Sequence, residues 1–390
     1  MRTDVDRLPA IKELPDPFLF ADGTRVKSLH EWRHRRAELL ELVQTYEYGH
    51  VPPAPSPGTV TAAPVPDDAP QSASDSADRP AMQSPVALPP GSRQETLLVT
   101  VTSPGSDNKV EFPLRLYLPP GTGPFPAVIR GDLCWGPIQV EIVADALARG
   151  YMLADFDRTK IVPDAPGPLT GGAYSLYPEG DFGALAAWAW GFHRVIDYLI
   201  ARPEPDPAKI IVTGHSRGGK TALLAGATDE RVALTAPNNS GCGGAGCYRF
   251  QTAISEDLRA ITDQFPYWFE AHFGEFTGKE CRLPIDQHSV KALVAPRGLL
   301  TMEALGDLWA NPEGTQQTHL AAREVFDFLG ACERIAIHFR EGKHEQSRAD
   351  WQALLDFADH LLLGKPLQGA FNALAFPNSA MTWSWGMPRK

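Results

Sequence analysis

The chain has 390 residues, 43% of them hydrophobic and 21% charged, enough to bury a sizeable core and too apolar for global disorder. A formal net charge of -11 argues against nucleic acid or an anionic membrane surface as the partner, and no apolar run reaches the length of a membrane span. Met1-Arg2-Thr3-Asp4-Val5-Asp6-Arg7 carries no apolar signal core, so the chain as written reads as cytoplasmic, or as secreted or periplasmic if a leader was removed.

In chain order, Trp32 to Gly49 is helix-like, with Leu39, Leu40, Leu42 and Val43 on an apolar stripe. Residues 52–91 are crowded with Pro, Ala, Ser and Asp. Such a stretch buries too little surface to offset its ordering entropy and reads as a flexible insertion. Thr96–Val101 and Val110–Tyr117 read as antiparallel strands joined through Gly105-Ser106-Asp107-Asn108. An alternation follows. Strand Pro126–Arg130 leads to helix Gln139–Arg149, and strand Tyr151–Phe156 leads through a long loop to helix Phe182–Ile200. Strand Lys209–Thr213 leads to a helix after Ser216. Strands Val232–Ala236, Leu299–Ala304 and Arg334–Phe339 come next, the last leading to helix Arg348–Leu363. Strands alternating with helices predict a mostly parallel central sheet, flanked by helices in a three-layer sandwich.

The stretch Gly214-His215-Ser216-Arg217-Gly218 sits between such a strand and helix. G-x-S-x-G in that setting is the nucleophile elbow of the α/β-hydrolase fold, where glycines let backbone pack closely around a strained serine. The expectation is therefore a single α/β-hydrolase catalytic domain over residues 1–390. A serine hydroxyl needs a base, and the base needs an orienting acid. In this fold they follow in the order Ser, acid, His, each after a strand. Asp307 follows the strand ending at Ala304, and His344 follows the strand ending at Phe339. His338 lies within a strand and reads as structural. His215 is expected to face the other side of the elbow in a packing role. His288, in Asp286-Gln287-His288 before a helix, stays open as an alternative base. The oxyanion donors are expected to be the backbone N–H of Arg217 and one from the loop Gly131-Asp132-Leu133-Cys134, through Leu133. The Arg217 side chain would either reach the developing charge or brace the elbow. Five cysteines form no disulfide framework and read as free thiols. Cys242 and Cys247 could bridge or bind metal, but no histidine pair or second C-x-x-C follows at zinc spacing.

Gly214-His215-Ser216-Arg217-Gly218-Gly219-Lys220 resembles the G-[CH]-S-R-x-G-K signature of the glucuronoyl esterases, carbohydrate esterase family fifteen. Pro237-Asn238-Asn239-Ser240-Gly241-Cys242-Gly243-Gly244, Phe265-Pro266-Tyr267-Trp268-Phe269, Leu283-Pro284-Ile285-Asp286-Gln287-His288 and Asp307-Leu308-Trp309-Ala310-Asn311-Pro312 are similar to bacterial members. The resemblance covers nearly everything outside 52–91. It implies a serine carboxylic-ester hydrolase that cleaves 4-O-methyl-glucuronoyl esters between xylan and lignin alcohols through an acyl-enzyme, with neither metal nor organic cofactor. The expected substrate is a small-molecule or carbohydrate ester such as a glucuronoxylan fragment, handled by a monomer; an acetyl xylan esterase or another small-substrate carboxylesterase is the alternative. It further implies that Lys220 and Glu256 bind sugar hydroxyls and that Trp309 stacks on the ring. Many members, the fungal ones especially, carry the acid as a Glu where Asn239 stands, which leaves Asp307 as the acid. Fungal members also place cysteines beside the serine and histidine, where this chain has His215 and Glu345.

Overall fold

The computed structural model describes residues 3–56, 58–65, 87–103 and 107–388. Helix α1 (Leu29–Val43) starts at Ser28, whose side chain accepts from the Glu31 amide in the usual N-cap manner. It ends in a π-helical turn, Gln44–Tyr48, that closes on Gly49 at φ 75°. A Cβ at Gly49 would lie 2.3 Å from the Asp181 carbonyl oxygen, so only glycine fits.

Strand β1 (Val60–Pro64) lies inside the stretch read as a flexible insertion. It pairs antiparallel with β2 (Arg93–Thr102), Val60 opposite Val101. Residues 66–86 of that stretch lie outside the described residues, as do Gly105 and Ser106 of the expected connection. β2 pairs antiparallel with β3 (Lys109–Leu118). There follow β4 (Phe125–Arg130), α2 (Val140–Ala148), β5 (Met152–Phe156), α3 (Gly172–Leu176) and α4 (Ala184–Ile200). The chain continues through β6 (Pro205–His215), α5 (Arg217–Thr228), β7 (Val232–Asn238), α6 (Leu258–Gln264) and α7 (Gln287–Val294). It ends with β8 (Gly298–Ala304), α8 (Pro312–Phe328), β9 (Ile335–Arg340) and α9 (Arg348–Leu363).

Among the described residues the strands form one sheet in the order β1-β2-β3-β5-β4-β6-β7-β8-β9. The first three pairings are antiparallel and the rest parallel. This is the α/β-hydrolase fold. Side-chain alternation along each strand divides the core in two. Ile129, Ala154, Ile210 and Val212 pack with α4, α5 and α7 on one face. Val128, Leu153 and Ile211 pack with α2 and α9 on the other. The parallel strands are therefore apolar on both sides, as sheets covered by helices on both faces are. α4 is buried along most of its length; its Trp188 and Trp190 are fully enclosed and donate their indole N–H groups to Val162 and Pro53 carbonyls at 2.9 and 3.2 Å.

Besides β1, three further elements bear on the site and differ from expectation. β6 begins at Pro205 rather than Lys209. His288 lies within α7 rather than before it. The 17-residue α8 has no counterpart in the hydrophobic pattern, because its first two turns bury polar side chains, Thr315 to His319. Its start is signalled instead by Asn311, which caps the Gly314 amide, and by Pro312 in the first turn.

Candidate active site

Ser216 sits between β6 and α5 at φ 54°, ψ −121°, a conformation that L side chains rarely adopt. Its neighbours explain how it is held. A Cβ at Gly214 would come within 2.4 Å of the Gly218 oxygen, and one at Gly218 within 2.0 Å of an Asp132 oxygen. The turn therefore closes only with glycine at both places. Asp132, on the loop after β4, accepts the His215 amide at 2.9 Å and pairs with the fully buried Arg158. One carboxylate thus joins that loop to the elbow.

The loops after β8 and β9 bring Asp307 and His344 to Ser216. His344 Nε2 lies 2.9 Å from Ser216 Oγ, and its Nδ1 lies 2.6 Å from Asp307 Oδ2. An ionised carboxylate only accepts, so Nδ1 carries the proton and Nε2 is left to accept from the serine. Asn239 Nδ2 donates to the same Asp307 oxygen at 2.7 Å. Burial works to raise the Asp307 carboxyl. The hydrogen bonds from His344 and Asn239, with the His344 charge, nonetheless hold it below its ordinary range. The Asp307 side chain is 4% exposed and that of His344 44%.

The His344 loop is fixed from behind. Arg340 Nε donates to both Asp350 oxygens at 2.8 Å, and Nη2 donates to the Glu345 carbonyl at 2.7 Å. Asp350 in turn closes the capping box of α9 with Ser347. The Gly306 amide donates to the Gly342 carbonyl at 3.0 Å and ties the two loops together.

His215 departs from expectation. Its ring does not turn away from the site but packs on His344, centroid to centroid 4.5 Å. Its Nδ1 lies 2.7 Å from Asn238 Oδ1. Burial, reinforced by the His344 charge, pushes its imidazole below the ordinary histidine range. His288 is buried elsewhere, with Nε2 2.8 Å from the Pro15 carbonyl oxygen, and is not brought to the serine. His338 lies in β9, 3.3 Å from the Ala370 carbonyl oxygen.

A cavity of about 220 Å³ opens beside Ser216 and His344. Lys220 is at its floor, donating to the Ser240 and Cys242 carbonyls at 2.7 and 2.6 Å and facing Glu256 at 3.4 Å. The Glu256 amide donates to the Trp309 carbonyl, and Trp309 stands at the rim, 50% exposed. Lys220, Glu256 and Trp309 therefore line one cavity. Phe265 and Trp268 stack at 3.9 Å and form another wall. The Arg217 guanidinium lies over both, at 5.0 and 4.7 Å from the ring centroids, and pairs with Asp164 at 2.8 Å. Both expectations for Arg217, bracing the elbow and reaching the site, are compatible with this position.

Leu133 is different. It opens a short 3-10 turn, Leu133–Trp135, and is not among the described residues that line the cavity. The wall residues Phe265 and Trp268 and the Asp164 partner of Arg217 escape single-residue inspection, because two loop segments and the start of α5, far apart in sequence, bring them together. The aromatic density of Phe265-Pro266-Tyr267-Trp268-Phe269 is the one local signal they offer.

All five cysteines are free. Among the described residues no group of three His, Cys, Asp or Glu side chains could hold a metal, and no helix is long and apolar enough to cross a membrane. A hydroxyl bonded to an imidazole whose second nitrogen faces a buried carboxylate can lose its proton as it attacks a carbonyl. A cavity with one aromatic wall, a charged floor and otherwise polar lining is suited to one small polar ligand.

Comparison with known proteins agrees with that chemistry. Residues 99–330 match the family described as glucuronyl esterase, fungi. The chain is 34% identical over 331 residues to 4-O-methyl-glucuronoyl methylesterase 1 of Wolfiporia cocos, covering 81% of this chain and 72% of that one. It superposes on a carbohydrate esterase family 15 glucuronoyl esterase from Caldicellulosiruptor kristjansonii with a TM-score of 0.80 at 32% identity, over 99% and 100% of the two chains. It also superposes on a Sporotrichum thermophile glucuronoyl esterase mutant, solved with methyl 4-O-methyl-beta-D-glucopyranuronate, with a TM-score of 0.72 at 28% identity, over 92% and 90%. The chain belongs to the glucuronoyl esterases of carbohydrate esterase family 15.

Proposed function

We propose that this chain hydrolyses carboxylic esters of 4-O-methyl-glucuronic acid, as borne on glucuronoxylan fragments. The observation that carries the reading is the Ser216–His344–Asp307 hydrogen-bond chain opening on the cavity floored by Lys220 and Glu256. In this reading Ser216 attacks the ester carbonyl while His344 takes its proton. Asp307 holds the ring in the required tautomer and stabilises the imidazolium. His344 then protonates the departing alcohol. A water, activated by the same ring, releases the uronate and restores the serine.

The oxyanion is received by the backbone N–H of Arg217. It is the first amide of α5, which has no partner within its own helix and lies at the positive end of the helix dipole. The Arg217 guanidinium, beside the same cavity, takes the second place expected of Leu133. Lys220 and Glu256 together offer donors and acceptors to sugar hydroxyls, and Trp309 offers an apolar face to the ring. The carbonyls that bind Lys220 fix its direction, and its third donor faces Glu256.

The test is a panel of esters. Glucuronate methyl and benzyl esters are expected to be cleaved with kcat/KM at least tenfold above acetylated xylose, and Lys220→Ala should narrow that gap. Equal or faster cleavage of the acetyl esters would overturn the reading in favour of an acetyl xylan esterase.

A further inference from the structure

Resting on the reading above, we propose that Trp135 determines specificity for the alcohol half of the ester by offering a platform to an aromatic leaving group. In that reaction the uronate fills the cavity, and the departing oxygen must lie within reach of His344 Nε2, since His344 gives it a proton. The alcohol therefore lies outside the cavity on the His344 side. The groups found there are His215, whose ring packs on His344 at 4.5 Å, and then Trp135, 6.3 Å from His215 at a 70° interplanar angle. Neither His215 nor Trp135 is among the described residues lining the cavity.

The guanidinium of Arg217 marks the boundary. Trp268 and Phe265 of the cavity wall lie 4.7 and 5.0 Å from it, and Trp135 lies 5.8 Å from it. Trp135 is thus one guanidinium away from the wall that faces the sugar. It is also held in place. The fully buried Arg158 lies 4.3 Å from its ring centroid, and the following Gly136 carbonyl accepts from Arg130 at 2.6 Å. Yet the residue remains 45% exposed. A large indole fixed by cation–π contact and left open to solvent beside the leaving-group position suits stacking by an aromatic ring.

The test compares methyl and benzyl glucuronate esters, which share the acyl half and differ only in the alcohol. Because kcat/KM covers steps through loss of the alcohol, it reads the contact even where deacylation limits kcat. Trp135→Ala and Trp135→Leu are expected to lower kcat/KM for the benzyl ester about three- to tenfold, the range of an aromatic pair. The methyl ester should change less than twofold, and Trp135→Phe should keep most of the benzyl preference. If the alanine variant fails to fold, the leucine and phenylalanine variants carry the comparison. An equal fall on both esters, or no fall on either, would overturn the proposal. A wild-type protein inactive on both esters but active on acetyl esters would overturn the functional reading itself.

Discussion

Around Ser216, backbone packs against backbone; around His344, a guanidinium and a backbone hydrogen bond to the neighbouring loop hold a segment that faces solvent. Gly214 and Gly218 leave no room for a Cβ, and Asp132 ties the adjoining loop to the turn from within the core. The β9 loop meets backbone at one place, where the Gly306 amide donates to the Gly342 carbonyl and a Cβ at Gly306 would lie 2.4 Å from that oxygen. Its shape comes from Arg340, bonded to Asp350 on one side and to the Glu345 carbonyl on the other. In this chain His215 and Glu345 occupy the positions that flank the serine and histidine, so charge and ring contact do the bracing there. The nucleophile is located by steric exclusion and the base by polar bonds. The two halves should therefore fail in different ways.

On the proposed mechanism, Ser216→Ala removes the attacking group and should lower kcat by about four to six orders of magnitude on a glucuronate ester, with folding unchanged by circular dichroism. Asp307→Asn keeps the shape but loses the charge that selects the tautomer, and should cost about 10⁴-fold in kcat. Retention of activity within tenfold would mean that the acid lies elsewhere. Arg340→Ala attacks the loop alone. It should lower kcat by about tenfold while KM stays within twofold, because misplacing a base does not alter the sugar contacts. An equivalent rise in KM would contradict the division drawn here.

The smallest effect concerns pH. The folded-state Asp307 carboxyl is held below its unfolded value near 3.8. The folded form therefore releases its proton first. The resulting stabilisation is complete above that value and is lost as pH falls through the lower, folded one. The thermal-midpoint advantage of wild type over Asp307→Asn should shrink below about pH 4. An advantage that grew there would contradict the hydrogen bonding described for Asp307.

The elbow was legible because its signal is local. A β-branched run, two glycines and an apolar helix are contiguous from Lys209 to Gly226. The placement of Asp307 and His344 beside Ser216 was legible because each follows a strand in the order this fold uses. The direction of His215 was misread because Ser216 has positive φ, and across such a residue neighbouring side chains need not point to opposite sides. α8 escaped because Thr315, Gln316, Gln317, Thr318 and His319 are polar yet buried, which erases the apolar stripe that marks a helix. β1 lay hidden among prolines, which an edge strand tolerates. The cavity wall was illegible residue by residue, since Phe265, Trp268 and Asp164 meet only in three dimensions.

Ser216 itself carries a consequence for how such a chain drifts under selection. Its backbone, at φ 54° and ψ −121°, suits glycine better than any residue with a Cβ. Ser216→Gly and Ser216→Ala both delete the hydroxyl, yet only glycine relaxes the turn. The glycine variant should therefore outlast the alanine variant in thermal melting by on the order of 1 kcal/mol. Serine is then the less stable choice at that position, kept only while its hydroxyl is used. A lineage freed from the need to cleave esters would have a downhill path, one codon change long, toward a sturdier and inert protein.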